Sequence, residues 1–418
     1  MAHDEQCPPS RACRAFARGR PARARGAAGT LAAALAAGGC SDREPTGLLG
    51  QSAHPGAPLA IISSRSFDQP TWTWSADGAE LVYTDREDAA VTIRAVPARG
   101  GAVRTVIAPP GRGRAIAPAA LHVSPDNRSV YYLVITDSVG STPTGDLHRA
   151  PMRGGGAPEL VATDVTYEGR ARFAVAPGTG VVAATAPVVA RGFELIDPRT
   201  GARATVGPPL TASGADLGLS ARRFVWAPDG SGLVASDDSG ADVRWLDFGG
   251  AATLAERYAA AARFSLVGGG SVCPSPEARW EAGRPVLYHT DCAAVWRHDL
   301  ATGARVRLGA VPAGARALAF SPDGTQIAFW RSACAEERTG TVVTAGTVTV
   351  CVRSRHTLAT ATLATGAERE HETFEGAGAP QDVGPPVYAP TGGAVAYTHA
   401  NPAASPWTDL ALYVRTVP

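Results

Sequence analysis

The sequence predicts an all-β fold: a β-propeller, most simply of seven four-stranded blades, with six as the alternative. Three observations predict it. The first is a recurring phrase in which an apolar run, a Ser/Ala-Pro-Asp-Gly turn and a second apolar run follow one another. Clear copies are "TWTWSADGAELVYTD", "LHVSPDNRSVYYLV", "RFVWAPDGSGLVASDD" and "LAFSPDGTQIAFW". Degenerate copies are "APGT" at Ala176, "SPEA" at Ser275 and "APTG" at Ala389. The second observation is the period. Aligned on Ala76, Pro125, Pro177, Pro228, Pro276, Pro322 and Pro390, the intervals are 49, 52, 51, 48, 46 and 68 residues. The third is a Gly-centred hairpin after each phrase, as in "TIRAVPARGGAVRTVIA", "FELIDPRTGARATVG" and "VWRHDLATGARVRLG". Two hairpins give four antiparallel strands per repeat of 45–50 residues, the pattern of a propeller blade.

Each part of the phrase has a physical role. Proline presets φ near −65°, the Asp side chain bonds back to its own backbone, and Gly accepts positive φ. Asp77, Asp126, Asp229 and Asp323 are therefore read as structural turn residues rather than as acids or metal ligands.

Along the chain, the first segment is an address. A run of six arginines from Arg11 to Arg25 precedes the apolar, Ala-rich stretch "GAAGTLAAALAAGGC", Gly26 to Cys40. A basic region, a short apolar region and small residues before a cut describe a secretory signal. The apolar run is too short to span a bilayer. Residues 1–40 are expected to be that signal, and 41–58 a flexible tether. An ordinary cleaved signal and a non-secreted tail are the alternatives.

The propeller is expected over residues 59–418. The strand-like "PLAIISS", Pro58 to Ser64, stands apart from the repeats, and the last repeat ends at "LALYVRTVP" after three strands. Lending the first strand to the last blade closes the ring and leaves few exposed sheet edges. The interval of 68 marks extra material, "RSACAEERTGTVVTAGTVTVCVRSRH", Arg331 to His356. Its β-branched halves flank Ala-Gly, a hairpin signal. A hairpin insertion is expected at about residues 331–356, as the first candidate for a partner contact. The stretch "TDSVGSTPTGD", Thr136 to Asp146, is a second.

Four cysteines lie beyond the signal: Cys273, Cys292, Cys334 and Cys351. An even number in an exported domain reads as disulfides. Pairing neighbours gives Cys273–Cys292 and Cys334–Cys351, the second bracing the insertion. Spacings of 19, 42 and 17 residues contain no close pair, which argues against zinc.

Composition narrows the partners. The chain is 45% hydrophobic and 18% charged, so it is globular. All 39 basic residues are arginine, and beyond residue 40 the 33 Arg are outnumbered by 36 acidic residues, which argues against a nucleic-acid surface. The sequence has no Gly-x-Ser-x-Gly, phosphate-cradling loop or His-Glu-x-x-His. No catalytic residue, cofactor or metal ligand is assigned. His289 and His298 flank one hairpin, close enough in the chain to converge, but each is read as a satisfied or exposed histidine rather than as a ligand. Trp72, Trp74, Trp226, Trp245, Trp280, Trp296 and Trp330 fall on or beside strands and are read as packing between blades.

The phrases "FSPDGTQIAFW" and "VWRHDLATGARVRL" resemble the TolB-type, WD-repeat-like propeller repeat of bacterial envelope proteins, over essentially all of residues 59–418. The segment ending "AAGGC" resembles a bacterial lipoprotein signal, which would make Cys40 the lipidated residue. The resemblance implies a non-catalytic scaffold in the cell envelope, held to the membrane only by lipid, contacting another envelope protein and monomeric itself. It also implies an alternative, since some proteins with similar repeats are lyases: an enzyme acting on a polysaccharide or peptide at the channel. A small-ligand sensor is the third reading.

Overall fold

The computed structural model describes residues 58–417 except 64–70, 88–89, 112–113, 138–143, 167–172, 186–192, 207–222, 237–242, 250–255, 257–259, 265–277, 281–285, 291–292, 301, 343–345, 378–385 and 401–408. The expected signal, Cys40, most of the expected tether, Cys273 and Cys292 lie outside the described residues.

The described strands form seven four-stranded antiparallel sheets. Six take their strands consecutively: β2–β5 (Trp72–Trp74, Glu80–Glu87, Ala90–Pro97, Arg104–Ile107), β6–β9 (Ala115–Val123, Ser129–Asp137, Thr144–Pro151, Glu159–Thr166), β10–β13 (Phe173–Val175, Val182–Thr185, Phe193–Ile196, Arg203–Val206), β14–β17 (Arg223–Trp226, Gly232–Ser236, Val243–Asp247, Ala262–Phe264), β18–β21 (Ala278–Trp280, Val286–Thr290, Ala294–Asp299, Arg305–Ala310) and β22–β25 (Ala315–Phe320, Gln326–Val342, Gly346–Thr362, Glu368–Ala377), which are blades 1 to 6. β26 (Val387–Tyr388), β27 (Ala394–Ala400) and β28 (Asp409–Thr416) belong to blade 7. Blade 7 has the order β1-β28-β27-β26, so β1 (Ala60–Ser63) closes it. Ala60 pairs with Leu412 and Ser63 with Asp409. Seven blades replace the alternative of six.

A blade buries both of its faces only against its neighbours, and every seam has its own apolar cluster. Ile107, Val123 and Tyr132 pack between blades 1 and 2. Trp226 and Phe193 pack between blades 3 and 4, and Trp245 and Leu287 between 4 and 5. Trp330, 1% exposed, lies edge-on to Phe374 and Tyr397 between blades 6 and 7. Full burial of a side chain of this size is worth about 3 kcal/mol. The tryptophan indoles also tie seams together: Trp74 donates to Val387 O at 3.1 Å and Trp226 to Ala174 O at 3.1 Å.

The recurring turns share one construction. In blade 6, Ser321 Oγ donates to Asp323 Oδ1 at 2.6 Å and accepts from Gln326 N at 2.9 Å, while Asp323 Oδ1 accepts from Thr325 N at 3.1 Å. The same set holds Asp77 with Ser75 and Ala79, and Asp126 with Ser124 and Arg128. Asp229 accepts from Ser231 N at 2.9 Å. Gly324 closes its turn at φ +67°, and Asn127 takes the equivalent place at φ 57°, a region Asn tolerates better than most residues.

One expectation is corrected. "SPEA" is not the turn of blade 5. β18 (Ala278–Trp280) begins at its last residue and β19 starts at Val286, so the phrase lies ahead of the first strand of blade 5 rather than between its first and second strands.

Candidate functional site

The two faces of the ring differ. One carries the turns between first and second strands, all five or six residues long, and the connections between third and fourth strands, which run from five residues to the fourteen of 248–261. The other carries the connections between blades, of which 207–222 and 265–277 are the longest, and the turns between second and third strands. Leu59, just ahead of β1, lies by Gly100 on the first face. The chain therefore enters the propeller from the short-turn face.

Blade 6 breaks the pattern on the opposite face. β23 (Gln326–Val342) and β24 (Gly346–Thr362) have 17 residues each, against eight in β3 and seven in β27. At about 3.3 Å per residue the surplus extends the hairpin by roughly 30 Å beyond a normal blade. β22 pairs with β23 only as far as Arg331, and β25 with β24 only as far as Arg353. Past these points the hairpin is a two-stranded arm, with Ala333, Cys334, Ala335, Glu337, Arg338, Thr339, Thr349 and Val350 exposed.

The arm is braced near its root. Cys334 and Cys351 form a disulfide with Cα atoms 5.7 Å apart. Charges alternate across its strands: Arg353 reaches Glu336 at 3.4 Å and Glu375 at 3.4 Å, and Arg355 reaches Glu375 at 3.3 Å. Exposed pairs of this kind are worth only a few tenths of a kcal/mol each, but they fix the order of the strands.

Beneath the arm lies a buried polar cluster. His356 Nδ1 meets Ser332 Oγ at 2.9 Å, and its Nε2 meets Ser354 Oγ at 2.7 Å. In the neutral ring one nitrogen donates to a serine hydroxyl and the other accepts from one, so both serines can satisfy it without a charge. Burial, helped by the charge of Arg316, pushes its pKa down to about 4. Phe374 stacks on His356 at 5.3 Å and meets the His399 ring edge-on at 4.0 Å. Across the seam, Tyr397 OH donates to the carboxylate of Glu372, which Arg415 also reaches at 3.3 Å. Burial and the Glu372 carboxylate raise the Tyr397 pKa. Sequence spacing could not reveal this cluster, because its members come from two blades.

The other sites are weaker in chemistry. The seven innermost strands, β2, β6, β10, β14, β18, β22 and β26, contain no Asp or Glu; their ionisable residues are His122, Arg223, Arg279, Arg316 and Tyr388. Arg279 is bonded to Phe320 O at 2.8 Å. These strands supply no carboxylate for an acid–base pair. A cleft of about 570 Å³ between blades 1 and 2 is lined by Val106, Ile107, Pro109 and Tyr132 among others, without an acidic or basic side chain. His289 and His298 do converge, with ring centroids 6.1 Å apart. No group of metal ligands is found among the described residues. Asp77, Asp126, Asp229 and Asp323 are spread over blades 1, 2, 4 and 6, all on the short-turn face.

The sequence matches no family model and no curated protein. Its likeness to solved structures is one of fold. A chain of the mitotic checkpoint complex is 11% identical, matched over 93% of this chain and 99% of its own, with a TM-score of 0.51. The β-propeller domain of Cps50 (Swd1) from Myceliophteria thermophila is 14% identical over 87% of this chain and 100% of its own, with a TM-score of 0.52. TolB from Acinetobacter baumannii is 16% identical over 73% of this chain and 65% of its own, but its TM-score of 0.38 carries no argument.

Proposed function

We propose that this propeller is a non-catalytic binding scaffold of the bacterial cell envelope, exported and anchored through lipid on Cys40, whose arm-bearing face contacts another envelope protein. The observation that carries the reading is the asymmetry of the ring. One face carries the short first-to-second turns and the third-to-fourth connections; the other bears the blade-to-blade connections and the arm of blade 6. Variable loops and insertions on one face of a repeat fold are where binding concentrates. The cysteine pair at the arm's root supports export, because such bonds persist in oxidising compartments.

The test has two parts. Intact mass of the native protein should show a chain beginning at Cys40 and carrying lipid, and Cys40→Ala should abolish it. Cross-linking in intact cells should retain a specific protein that is lost when residues 338–350 are replaced by Asn-Gly. An unmodified amino terminus refutes the anchor. Identical retention by both forms refutes the arm as the contact.

A further inference from the structure

The two long strands of blade 6 keep one register almost throughout. From Gln326 opposite Thr362 to Cys334 opposite Ser354, each step along β23 is one step back along β24. The same register resumes at Glu337 opposite Cys351 and runs to Val342 opposite Gly346. Between these blocks the ladder is interrupted. Cys334 to Glu337 is three steps on β23 and Ser354 to Cys351 is three on β24, yet Glu336 and Arg353 form the single pair between them. Ala335 and Val352 are therefore extra residues, one bulge on each strand, and the two bulges cancel. The disulfide spans this interruption: Cys334 is the last residue before it on β23, and Cys351 the first beyond it on β24.

An unbroken ladder and this disulfide exclude each other. In a regular antiparallel pair Ala335 stands opposite Arg353, and Glu336 opposite Val352. Cys351 then lies three residues, about 10 Å along the strand, from the residue opposite Cys334, and side chains three apart point to opposite faces. A disulfide needs Cα atoms within about 7 Å; here they are 5.7 Å apart. The paired bulge is what brings the cysteines together. Because its halves cancel, removing both leaves every pair on either side unchanged.

We infer that the Cys334–Cys351 bond is the lock of a two-state arm: closed, it holds the paired bulge; opened by a dithiol, it lets β23 and β24 join in one unbroken ladder. A thiolate of the dithiol attacks Cys334, the more exposed of the two residues, and Cys351 leaves as a thiolate. The second thiol of the reductant then displaces Cys334. The reductant ends as a disulfide, and its two electrons and two protons end on the two cysteines. The arm gains one row of pairing and about 3.3 Å of length, and it loses the local twist that bulges impose. Against this stands the Glu336–Arg353 ion pair at 3.4 Å, which is partly exposed and weak in water. Arg353 keeps its second partner, Glu375. Untied, the arm also opens from its tip more readily. The change re-aims the part beyond Glu337 while the root stays registered with the propeller. The inference needs neither the lipid anchor nor a partner protein.

The experiment compares the oxidised full chain with the same chain in dithiothreitol, isotopically labelled at Ala, Arg, Glu and Val, by nuclear Overhauser contacts between backbone protons. Reduction should remove the Glu336–Arg353 contact and create Ala335–Arg353 and Glu336–Val352 contacts. The Ala333–Arg355 and Arg338–Val350 pairs should stay as they are. Cys334→Ser combined with Cys351→Ser should show the reduced pattern without dithiothreitol, which separates this bond from the other cysteines. Both positions lie outside the apolar seams, so the ring should fold in the variant. A Glu336–Arg353 contact that survives reduction, or loss of every cross-strand contact beyond Arg331, overturns the inference.

Discussion

Acidification should loosen the root of the arm through His356. The ring is 3% exposed, both nitrogens are taken by Ser332 and Ser354, and its pKa is held near 4 against an ordinary 6.5. Below pH 6.5 the unfolded chain binds a proton at this histidine that the folded chain refuses until about pH 4. The stabilisation is therefore complete above pH 6.5, declines as pH falls, and is gone below about 4. A depression of this size corresponds to about 3 kcal/mol in all, of which about 2 kcal/mol is lost by pH 5. His122, also depressed to about 4, titrates in the same window, so the slope of the wild-type protein alone does not isolate His356. His356→Gln keeps one donor and one acceptor but cannot titrate. Urea unfolding of both proteins at pH 7.5, 6 and 5 gives the comparison. The variant should start less stable at pH 7.5 and lose about 2 kcal/mol less on going to pH 5. Parallel pH profiles would refute the reasoning, because the buried histidine would then take up its proton without penalty.

Other substitutions test the frame. Gly324→Ala places a methyl group at φ +67° and into the ring of Tyr288, so it should cost about 2–4 kcal/mol by thermal unfolding. Gly366→Ala, at φ +68° with open space around it, should cost only about 1 kcal/mol. Asp126→Ala frees Ser124 Oγ and Arg128 N in the turn and should lower stability by about 1–2 kcal/mol in urea, while Asp126→Asn keeps most of it. Tyr397→Phe removes a donor from the buried Glu372 carboxylate and should cost about 1–3 kcal/mol on the same assay. Reducing Cys334–Cys351 should speed protease cleavage within residues 335–350 without moving the global unfolding midpoint, since the crosslink closes a loop of the arm alone.

What the sequence made legible was local. The turn box writes itself into Ser-Pro-Asp-Gly because Ser321 and Asp323 satisfy groups within five residues of themselves. The arm was legible as an excess in the period, and the closing strand as an apolar run with no repeat of its own. The failure in blade 5 has the same root. "SPEA" is a turn-like phrase ahead of the first strand of its blade, while the five residues between β18 and β19, "EAGRP", lack the Ser/Ala-Pro-Asp-Gly/Asn or Ser-Ala-Asp-Gly phrase of blades 1, 2, 4 and 6. What could not be read is what two blades build together. Glu372 meets Tyr397 across a seam, and Gly324 is glycine partly because Tyr288 of the preceding blade occupies the space a Cβ needs. No spacing within one repeat carries that information.

The seams also explain how one blade could grow an arm without unsettling the ring. A blade is fixed by its two neighbours, and the clusters that do this lie inside the span of an ordinary strand: Trp330, Leu358 and Phe374 in blade 6, Tyr397 and Tyr413 in blade 7. Residues added beyond Arg331 and Arg353 extend past that span, so they contribute little to the ring and take little from it. They must then satisfy themselves, and the disulfide, the Arg–Glu rungs and the two serines around His356 do so at the root. Further out, Thr339 and Thr349 bond to each other and Val350 remains exposed. Stability therefore falls from root to tip. A segment built in that order is free to change its contacts at the tip while its base stays registered with the propeller, which is the property an interaction arm requires.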